Sequence, residues 1–117
     1  MTYEEFSTRA ADRDILNAAD YIEYVLHNPQ AADALLEEVD NKIKSLSDYP
    51  ERCAIVSDPI LKLRQIRIIQ VKNYLAFFVV SESDRRVYIV RFLYGRRDWG
   101  RILRSTLESV SNVLDLE

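Results

Sequence analysis

The sequence contains very few of the residues that build metal, disulfide and phosphate-binding sites. Among its 117 residues are one cysteine, one histidine and two glycines. A lone cysteine, Cys53, excludes an internal disulfide, and no second Cys or His lies near it at zinc-binding spacing. Scarce glycine argues against a glycine-rich phosphate loop. We therefore expect no metal and no cofactor, and we interpret Cys53 as a thiol without a chemical role.

Long apolar runs are also missing. No stretch reaches the roughly 18 apolar residues that a transmembrane helix requires. The N-terminus, MTYEEF, is acidic where a secretory signal is basic. We therefore expect a cytoplasmic protein with no membrane partner.

The composition that is present describes a globular protein. Hydrophobic residues make up 48% of the chain and charged residues 30%, which is ordinary for a folded domain. A chain of this length buries roughly two-thirds of its unfolded surface in one core. We predict a single domain over residues 1–117.

Charge is distributed unevenly along the chain. Residues 1–58 carry 13 acidic and 5 basic side chains, whereas residues 59–104 carry 11 basic and 3 acidic ones. The basic segment is suited to bind nucleic acid or an acidic partner. Alternatively, the acidic segment neutralises the basic one in the folded molecule. The sequence leaves both interpretations open.

Two helices are predicted in the N-terminal half. Helical spacing predicts a first helix from about Thr8 to His27, whose core face carries Ala11, Ile15, Ala18, Ile22 and Val25. Asn28 and Pro29 form a favourable start for a second helix that ends near Ser47. Its core face carries Ala32, Leu35, Val39, Ile43 and Leu46. The short connection predicts an antiparallel helical hairpin, in which His27 satisfies carbonyls at the end of the first helix.

The following segment predicts strands. Tyr3 and Phe6 suit a short edge strand, and two prolines predict a loop over Tyr49–Ile60. The β-branched and aromatic runs Leu63–Val71, Tyr74–Ser81 and Val87–Tyr94 predict a three-stranded antiparallel meander. Because the last two runs are apolar on both faces, they are expected to be central strands covered on both sides.

A further helix is predicted at the C-terminal end, with Leu103, Leu107, Val110 and Leu114 in one stripe. Ser105–Glu108 matches a capping box that would restart the helix there. This helix either packs on the sheet or moves when a partner binds. Trp99 is expected to fill the gap between sheet and helix, and Asp98 to pair with an arginine or cap the next turn.

Five segments carry a resemblance to a known family. They are AADYI from Ala18, NPQAADALL from Asn28, YPERC from Tyr49, NYLAFFVV from Asn73 and VYIVRFLYGRRDW from Val87. In this order they resemble the RelE/ParE superfamily of toxins from bacterial type II toxin–antitoxin modules, especially members described as plasmid-stabilisation proteins. The resemblance implies an α+β fold in which an N-terminal antiparallel helical hairpin packs on a small, mainly antiparallel sheet, with a C-terminal helix.

The resemblance also implies partners. Toxins of this kind inhibit growth and are neutralised by a cognate antitoxin, in some cases within a toxin–antitoxin heterotetramer. We expect the antitoxin to cover part of the sheet and its arginines, or to displace the C-terminal helix.

The superfamily has two kinds of target, and the residues of this sequence can be compared with what each target requires. RelE-like members cleave messenger RNA on the ribosome, which needs a base, an acid and cations around the phosphate. Arg97 falls where such toxins carry a phosphate-holding arginine, and the remaining catalytic candidates are Arg91, Arg96, Tyr94 and Lys72.

The rest of a RelE-like catalytic set is poorly matched. Leu75 stands where these members carry an arginine, and their C-terminal Tyr or His is missing. ParE-like members act by trapping DNA gyrase and require no acid/base pair. The resemblance therefore favours a ParE-like gyrase inhibitor, which is not an enzyme. A ribosome-dependent endoribonuclease with an atypical site and a non-toxic binding module of the same fold remain alternatives.

Overall fold

The computed structural model describes residues 2–108 and has the predicted α+β architecture. The elements, in chain order, are β1 (Glu4–Ser7), α1 (Arg9–Asp20), a π-helical turn (Tyr21–Val25), α2 (Pro29–Ser45), a 3-10 turn (Pro50–Arg52), α3 (Pro59–Leu63), β2 (Arg67–Val71), β3 (Tyr74–Ser81), β4 (Arg86–Tyr94) and α4 (Trp99–Glu108). Val110 and Leu114 of the predicted C-terminal stripe lie outside the described residues.

The helical hairpin begins at well-formed caps. The Thr8 hydroxyl accepts a hydrogen bond from the Ala11 amide at 3.1 Å, and the Asn28 side chain accepts one from the Ala31 amide, also at 3.1 Å. Each side chain satisfies an amide that has no partner within its helix. The start predicted at Asn28 is confirmed.

The first helix ends earlier than predicted. It is regular only to Asp20, after which the chain forms a π-helical turn, with the Leu26 amide bonded to the Tyr21 carbonyl at 3.1 Å. A π-helical turn takes more residues than an α-helical one and therefore rotates the following side chains around the axis. The prediction that Val25 faces the core is accordingly wrong, since that side chain is 58% exposed.

The sheet has the strand order β1-β4-β3-β2. Strands β2, β3 and β4 form the predicted antiparallel meander, and β1 pairs in parallel with β4 at the edge. The predicted loop over Tyr49–Ile60 is partly wrong, because α3 begins at Pro59. Asp58 caps that helix by accepting hydrogen bonds from the Ile60 and Leu61 amides, which lower the pKa of its carboxyl.

Both faces of the sheet are buried, which explains the two-sided apolar strands. The helical hairpin covers one face, and its core includes Leu35, Val39, Ala76, Phe78, Ile89 and Phe92. Helices α3 and α4 cover the other face and form the second core with it, which includes Leu61, Ile66, Phe77, Val90 and Leu103.

Helix α4 packs on the sheet within the described residues. The Trp99 ring lies 5.3 Å from the Phe77 ring and confirms its predicted packing role. Asp98 pairs with Arg101 at 3.5 Å, also as predicted. The predicted restart at Ser105 is wrong, because α4 is continuous from Trp99 to Glu108. None of the helices in residues 2–108 is long and apolar enough to cross a membrane.

Tyr3 ties the start of the chain to two distant turns. Its hydroxyl lies 2.9 Å from a Glu82 carboxylate oxygen and 3.1 Å from one of Glu51, and it accepts a hydrogen bond from Arg85 at 2.9 Å. Burial, reinforced by the two carboxylates, raises the pKa of Tyr3 from 10.0 to about 12. The neutral phenol is therefore favoured by folding.

We expect the free energy of unfolding to fall as the pH rises from 10 through 12. A raised pKa in the folded state stabilises the protein below the unfolded pKa and loses this contribution as the phenol ionises. Urea denaturation followed by circular dichroism over this range measures the slope. The slope should be shallower for Tyr3→Phe and unchanged for Tyr49→Phe, a change at an exposed tyrosine. Identical slopes for Tyr3→Phe and the wild type would contradict the assignment.

Candidate functional site

Four of the five predicted site residues meet at one end of the sheet. Lys72 lies in the turn between β2 and β3, while Tyr94, Arg96 and Arg97 lie at and beyond the end of β4. The Gly95 amide donates to the Asn73 carbonyl at 2.8 Å and holds the two turns together. A Cβ atom at Gly95 would lie 3.2 Å from that carbonyl oxygen, so this close approach favours glycine.

The cations at this end of the sheet are not neutralised by neighbouring carboxylates. Lys72, Arg96 and Arg97 are exposed, and among the described residues no hydrogen bond or ion pair engages their side chains. By contrast, Arg104 pairs with Asp58 and Arg101 with Asp98. The acidic segment therefore neutralises the basic one only in part, and three of the cations that remain lie at this end of the sheet.

Arg91, the fifth predicted residue, lies apart and is engaged in packing. Its Nε and Nη2 atoms donate to the two carboxylate oxygens of Asp14 at 2.7 and 2.9 Å, and its Nη1 donates to the Thr106 hydroxyl at 3.0 Å. Asp14 also accepts a hydrogen bond from the Phe92 amide at 3.0 Å. The side chains of Arg91 and Asp14 are only 19% and 13% exposed. Arg91 thus joins α1, β4 and α4.

A cleft of about 680 Å³ opens between the π-helical turn and this end of the sheet. Its polar lining side chains are Asp14, Asn17, Tyr21, Asn73, Tyr74, Tyr94 and Arg97, and its apolar ones include Ile22, Leu26 and Phe92. We call it the tyrosine cleft. The Tyr74 ring stacks on Phe92 with 4.9 Å between centroids, and Tyr94 meets Tyr74 edge-on at 5.6 Å. Burial raises the pKa of Tyr74, and the neighbouring phenols of Tyr94 and Tyr21 add to this effect.

A second cleft of about 620 Å³ lies between α1 and α4, lined by Ala10, Arg91, Arg101, Ile102, Ser105 and Thr106. The Arg91–Asp14 ion pair separates the two clefts, since Asp14 lines the first and Arg91 the second. The predicted candidates are therefore divided between them. Arg97 and Tyr94 line the tyrosine cleft, with Arg96 and Lys72 beside it.

Comparison with known families decides the classification. The family model described as "ParE toxin of type II toxin-antitoxin system, parDE" matches residues 6–99. The chain belongs to this ParE toxin family. The match begins within β1, covers the helical hairpin and strands β2 to β4, and includes all five predicted site residues. It confirms the resemblance to the RelE/ParE superfamily. Among curated proteins, no sequence matches the chain.

Solved structures show the same fold for the ParE-family chain. One is the chromosomal ParDE toxin–antitoxin system from P. aeruginosa, with 20% identity, a TM-score of 0.64, and coverage of 80% of this chain and 96% of that one. Another is the toxin–antitoxin complex RelBE2 from Mycobacterium tuberculosis, with 17% identity, a TM-score of 0.56, and coverage of 80% and 99%. At these identities the likeness establishes the fold.

Part of the tyrosine cleft of this ParE-family chain lies outside the predicted site residues. Tyr21 was not among the candidates, yet it is 52% exposed on the cleft wall. Asn17 and Tyr74 were not candidates, because nothing in the apolar periodicity predicts a π-helical turn opposite the end of a strand. Asn73 is the exception, since its position beside Lys72 in a turn could have drawn attention to it.

The groups that line the cleft can bind a ligand. Its one carboxylate, Asp14, is neutralised by Arg91, and arginine stays protonated at any physiological pH. Within residues 2–108, no group of three or more His, Cys, Asp and Glu side chains is placed to hold a metal ion. What the cleft offers a ligand is aromatic surface, amide and phenol groups, and the positive charge of Arg97.

Proposed function

We propose that this ParE-family toxin inhibits bacterial growth by binding DNA gyrase in the cytoplasm and that a cognate antitoxin neutralises it. One observation carries the proposal: Lys72, Arg96 and Arg97 form an exposed cationic surface beside the tyrosine cleft, with no free carboxylate or histidine among the lining residues. Arginine and aromatic side chains are common anchors in protein interfaces. Such a surface suits inhibition by binding better than acid/base catalysis.

A ribosome-dependent endoribonuclease is the second candidate function. Cleavage through the 2′-hydroxyl needs a base and an acid as well as a cation for the developing charge. Tyr94 and Arg97 line the same cleft, and Lys72 lies in the adjacent turn. These residues supply the cation and a phenol that can donate a proton, but no evident base. A non-toxic binding module of this fold is the third candidate.

The partner in either case is an antitoxin. The similar structures are a ParDE system and a RelBE2 complex, both toxin–antitoxin assemblies by their descriptions. For this chain we propose that an acidic, apolar antitoxin segment covers the cationic end of the sheet, within a toxin–antitoxin heterotetramer. The alternative route, displacement of α4, would require Leu103 and Trp99 to leave the second core. That requirement makes covering the sheet end the simpler route.

We expect induced expression to stop growth and co-expression of the antitoxin encoded beside it to restore growth. In vitro, micromolar purified protein should block supercoiling by gyrase and leave a reporter message intact on ribosomes. Arg97→Ala should raise the concentration for half-inhibition about tenfold, the effect of losing one interface anchor. Arg64→Ala is the matched control. Arg64 is exposed and lies before the start of β2, whereas Lys72 lies after its end.

The other outcomes assign the function differently. Cleavage of the message with supercoiling intact would replace the gyrase target with the ribosome. Growth that continues on induction, with neither activity in vitro, would favour the non-toxic module. Equal inhibition by Arg97→Ala and the wild type would remove Arg97 from the binding surface.

A further inference from the structure

We propose that the tyrosine cleft binds a nucleoside monophosphate unit, with its base against the tyrosine rings and its phosphate on Arg97. This binding site goes beyond the proposed function and does not depend on which cellular target the toxin has. The same chemical unit occurs as a free nucleotide and within a single-stranded nucleic acid, and the test below separates these two sources.

The size and walls of the cleft suit such a ligand. Its volume of about 680 Å³ lies within the range of roughly 300–1,000 Å³ that is typical of small-molecule sites. Tyr21 of the π-helical turn and Leu26, which follows that turn, form one side, and Tyr74 and Tyr94 at the sheet end form the other. Aromatic side chains are the usual platforms on which unpaired bases stack.

The polar groups of the cleft favour a nucleic-acid base over an apolar side chain as its ligand. Five lining residues have side chains that can form hydrogen bonds, and within the described chain no side-chain hydrogen bond engages them: Asn17, Tyr21, Asn73, Tyr74 and Tyr94. An aliphatic anchor from a protein partner would bury these groups without partners, which is unfavourable. A base combines apolar faces with donors and acceptors along its edge, so it can satisfy them.

The charges of the cleft favour an anion at its opening. The Asp14 carboxylate is held by Arg91 and by the Phe92 amide, so it neither repels an anion strongly nor pairs with Arg97. Arg97 lines the cleft, and its guanidinium has no hydrogen-bond or ion-pair partner among the described residues. A planar guanidinium can meet two phosphate oxygens at once.

The positive charge near the cleft comes from only a few residues, which limits the size of ligand that gains from it. Lys72 and Arg96 lie beside Arg97, whereas the whole chain has a net charge of -3. A long polyanion would therefore meet repulsion away from the sheet end, and one nucleotide unit gains most of the available attraction. We expect a dissociation constant on the order of 10–100 µM for adenosine monophosphate.

Titration of the full-length protein, followed by NMR shifts of backbone amides, tests the proposal. We expect adenosine monophosphate to shift the amides of Tyr74, Gly95 and Arg97 in a saturable way. Adenosine and inorganic phosphate, tested separately, should each bind at least tenfold more weakly. Arg97→Gln should weaken binding of the monophosphate at least tenfold and leave adenosine binding unchanged, whereas Tyr21→Ala should weaken both. Arg64→Gln is the control and should change neither.

A hexadeoxyadenylate strand tested in parallel distinguishes the two sources. Binding more than tenfold tighter than the monophosphate points to single-stranded nucleic acid, and similar affinities point to a free nucleotide; both support the site. Three results would overturn it: no saturable shifts at millimolar monophosphate, equal binding of inorganic phosphate alone, or equal weakening by Arg64→Gln. Saturation by an acidic amphipathic peptide, with no response to the monophosphate, would also overturn it and assign the cleft to a protein partner.

Discussion

Replacing Asp14 with alanine is expected to lower the free energy of unfolding by about 3 kcal/mol, the lower end of the range for breaking a buried ion pair. Three hydrogen bonds converge on this carboxylate, two from Arg91 and one from the Phe92 amide. The change would leave the guanidinium of Arg91 largely buried without its counter-charge. It would also leave the Phe92 amide of β4 without a hydrogen-bond partner, because β1 pairs with β4 only as far as Ile89.

Urea denaturation of the purified variants measures the effect. Asp40→Ala is the matched control, because Asp40 pairs with Lys44 at 3.0 Å on the exposed face of α2. Exposed pairs of this kind contribute little, so the control should stay within about 0.5 kcal/mol of the wild type. Arg91→Ala should lose a similar amount to Asp14→Ala. A loss below about 1 kcal/mol for Asp14→Ala would contradict the structural role of the pair.

This result bears on how Arg91 variants are interpreted. If Arg91→Ala both unfolds more easily and fails to stop growth, the loss of toxicity follows from stability. If it stops growth less well while its urea midpoint is unchanged, Arg91 belongs to the functional surface with Arg97. Arg97 is exposed and unpaired within the described residues, so Arg97→Ala should change the midpoint little.

Replacing Trp99 with alanine is expected to cost about 2–4 kcal/mol of unfolding free energy, somewhat less than for a fully buried aromatic residue. The indole is half-buried, packs against the second core and lies 5.3 Å from the Phe77 ring. Its loss would leave a cavity at the start of α4 and loosen that helix from the sheet.

Circular dichroism during urea denaturation is the appropriate measurement, because the variant has no tryptophan to report by fluorescence. Trp99→Phe should recover about half of the loss, since a smaller ring still fills part of the space. Arg96→Ala, three residues away and exposed, should remain within about 0.5 kcal/mol of the wild type. Equal stability of Trp99→Ala and the wild type would show that the indole is not part of the packing.

The segment from Gly95 to Trp99 therefore combines two roles. Its arginines at positions 96 and 97 are exposed at the end of the sheet, while Trp99 packs against the second core and Asp98 pairs with Arg101. Its residues are consecutive in the sequence, yet only Trp99 contributes to a core. The stability and growth experiments above should separate them, with Trp99 affecting unfolding and Arg97 affecting inhibition.

The sequence by itself determined the family and most of the elements, but not α3 or the π-helical turn. Local chemistry was sufficient for the Asn28 cap and the limits of β3, because each depends on residues that are neighbours in the chain. Apolar periodicity correctly predicted that β3 and β4 are buried on both faces. It failed at Val25, because a π-helical turn changes the period of the helix without a signal in the residue types.

Only the tertiary structure decided how the site is assembled. Asp14 and Arg91 are 77 residues apart in the chain, and no local pattern predicts that they form an ion pair. That pair separates Arg91 from Arg97, although both lie in the same motif. The tyrosine cleft likewise combines Tyr21 from the hairpin with Tyr74 and Tyr94 from two strands. Periodicity assigns a side chain to a face of its own element, whereas its neighbours across a cleft depend on how the elements pack.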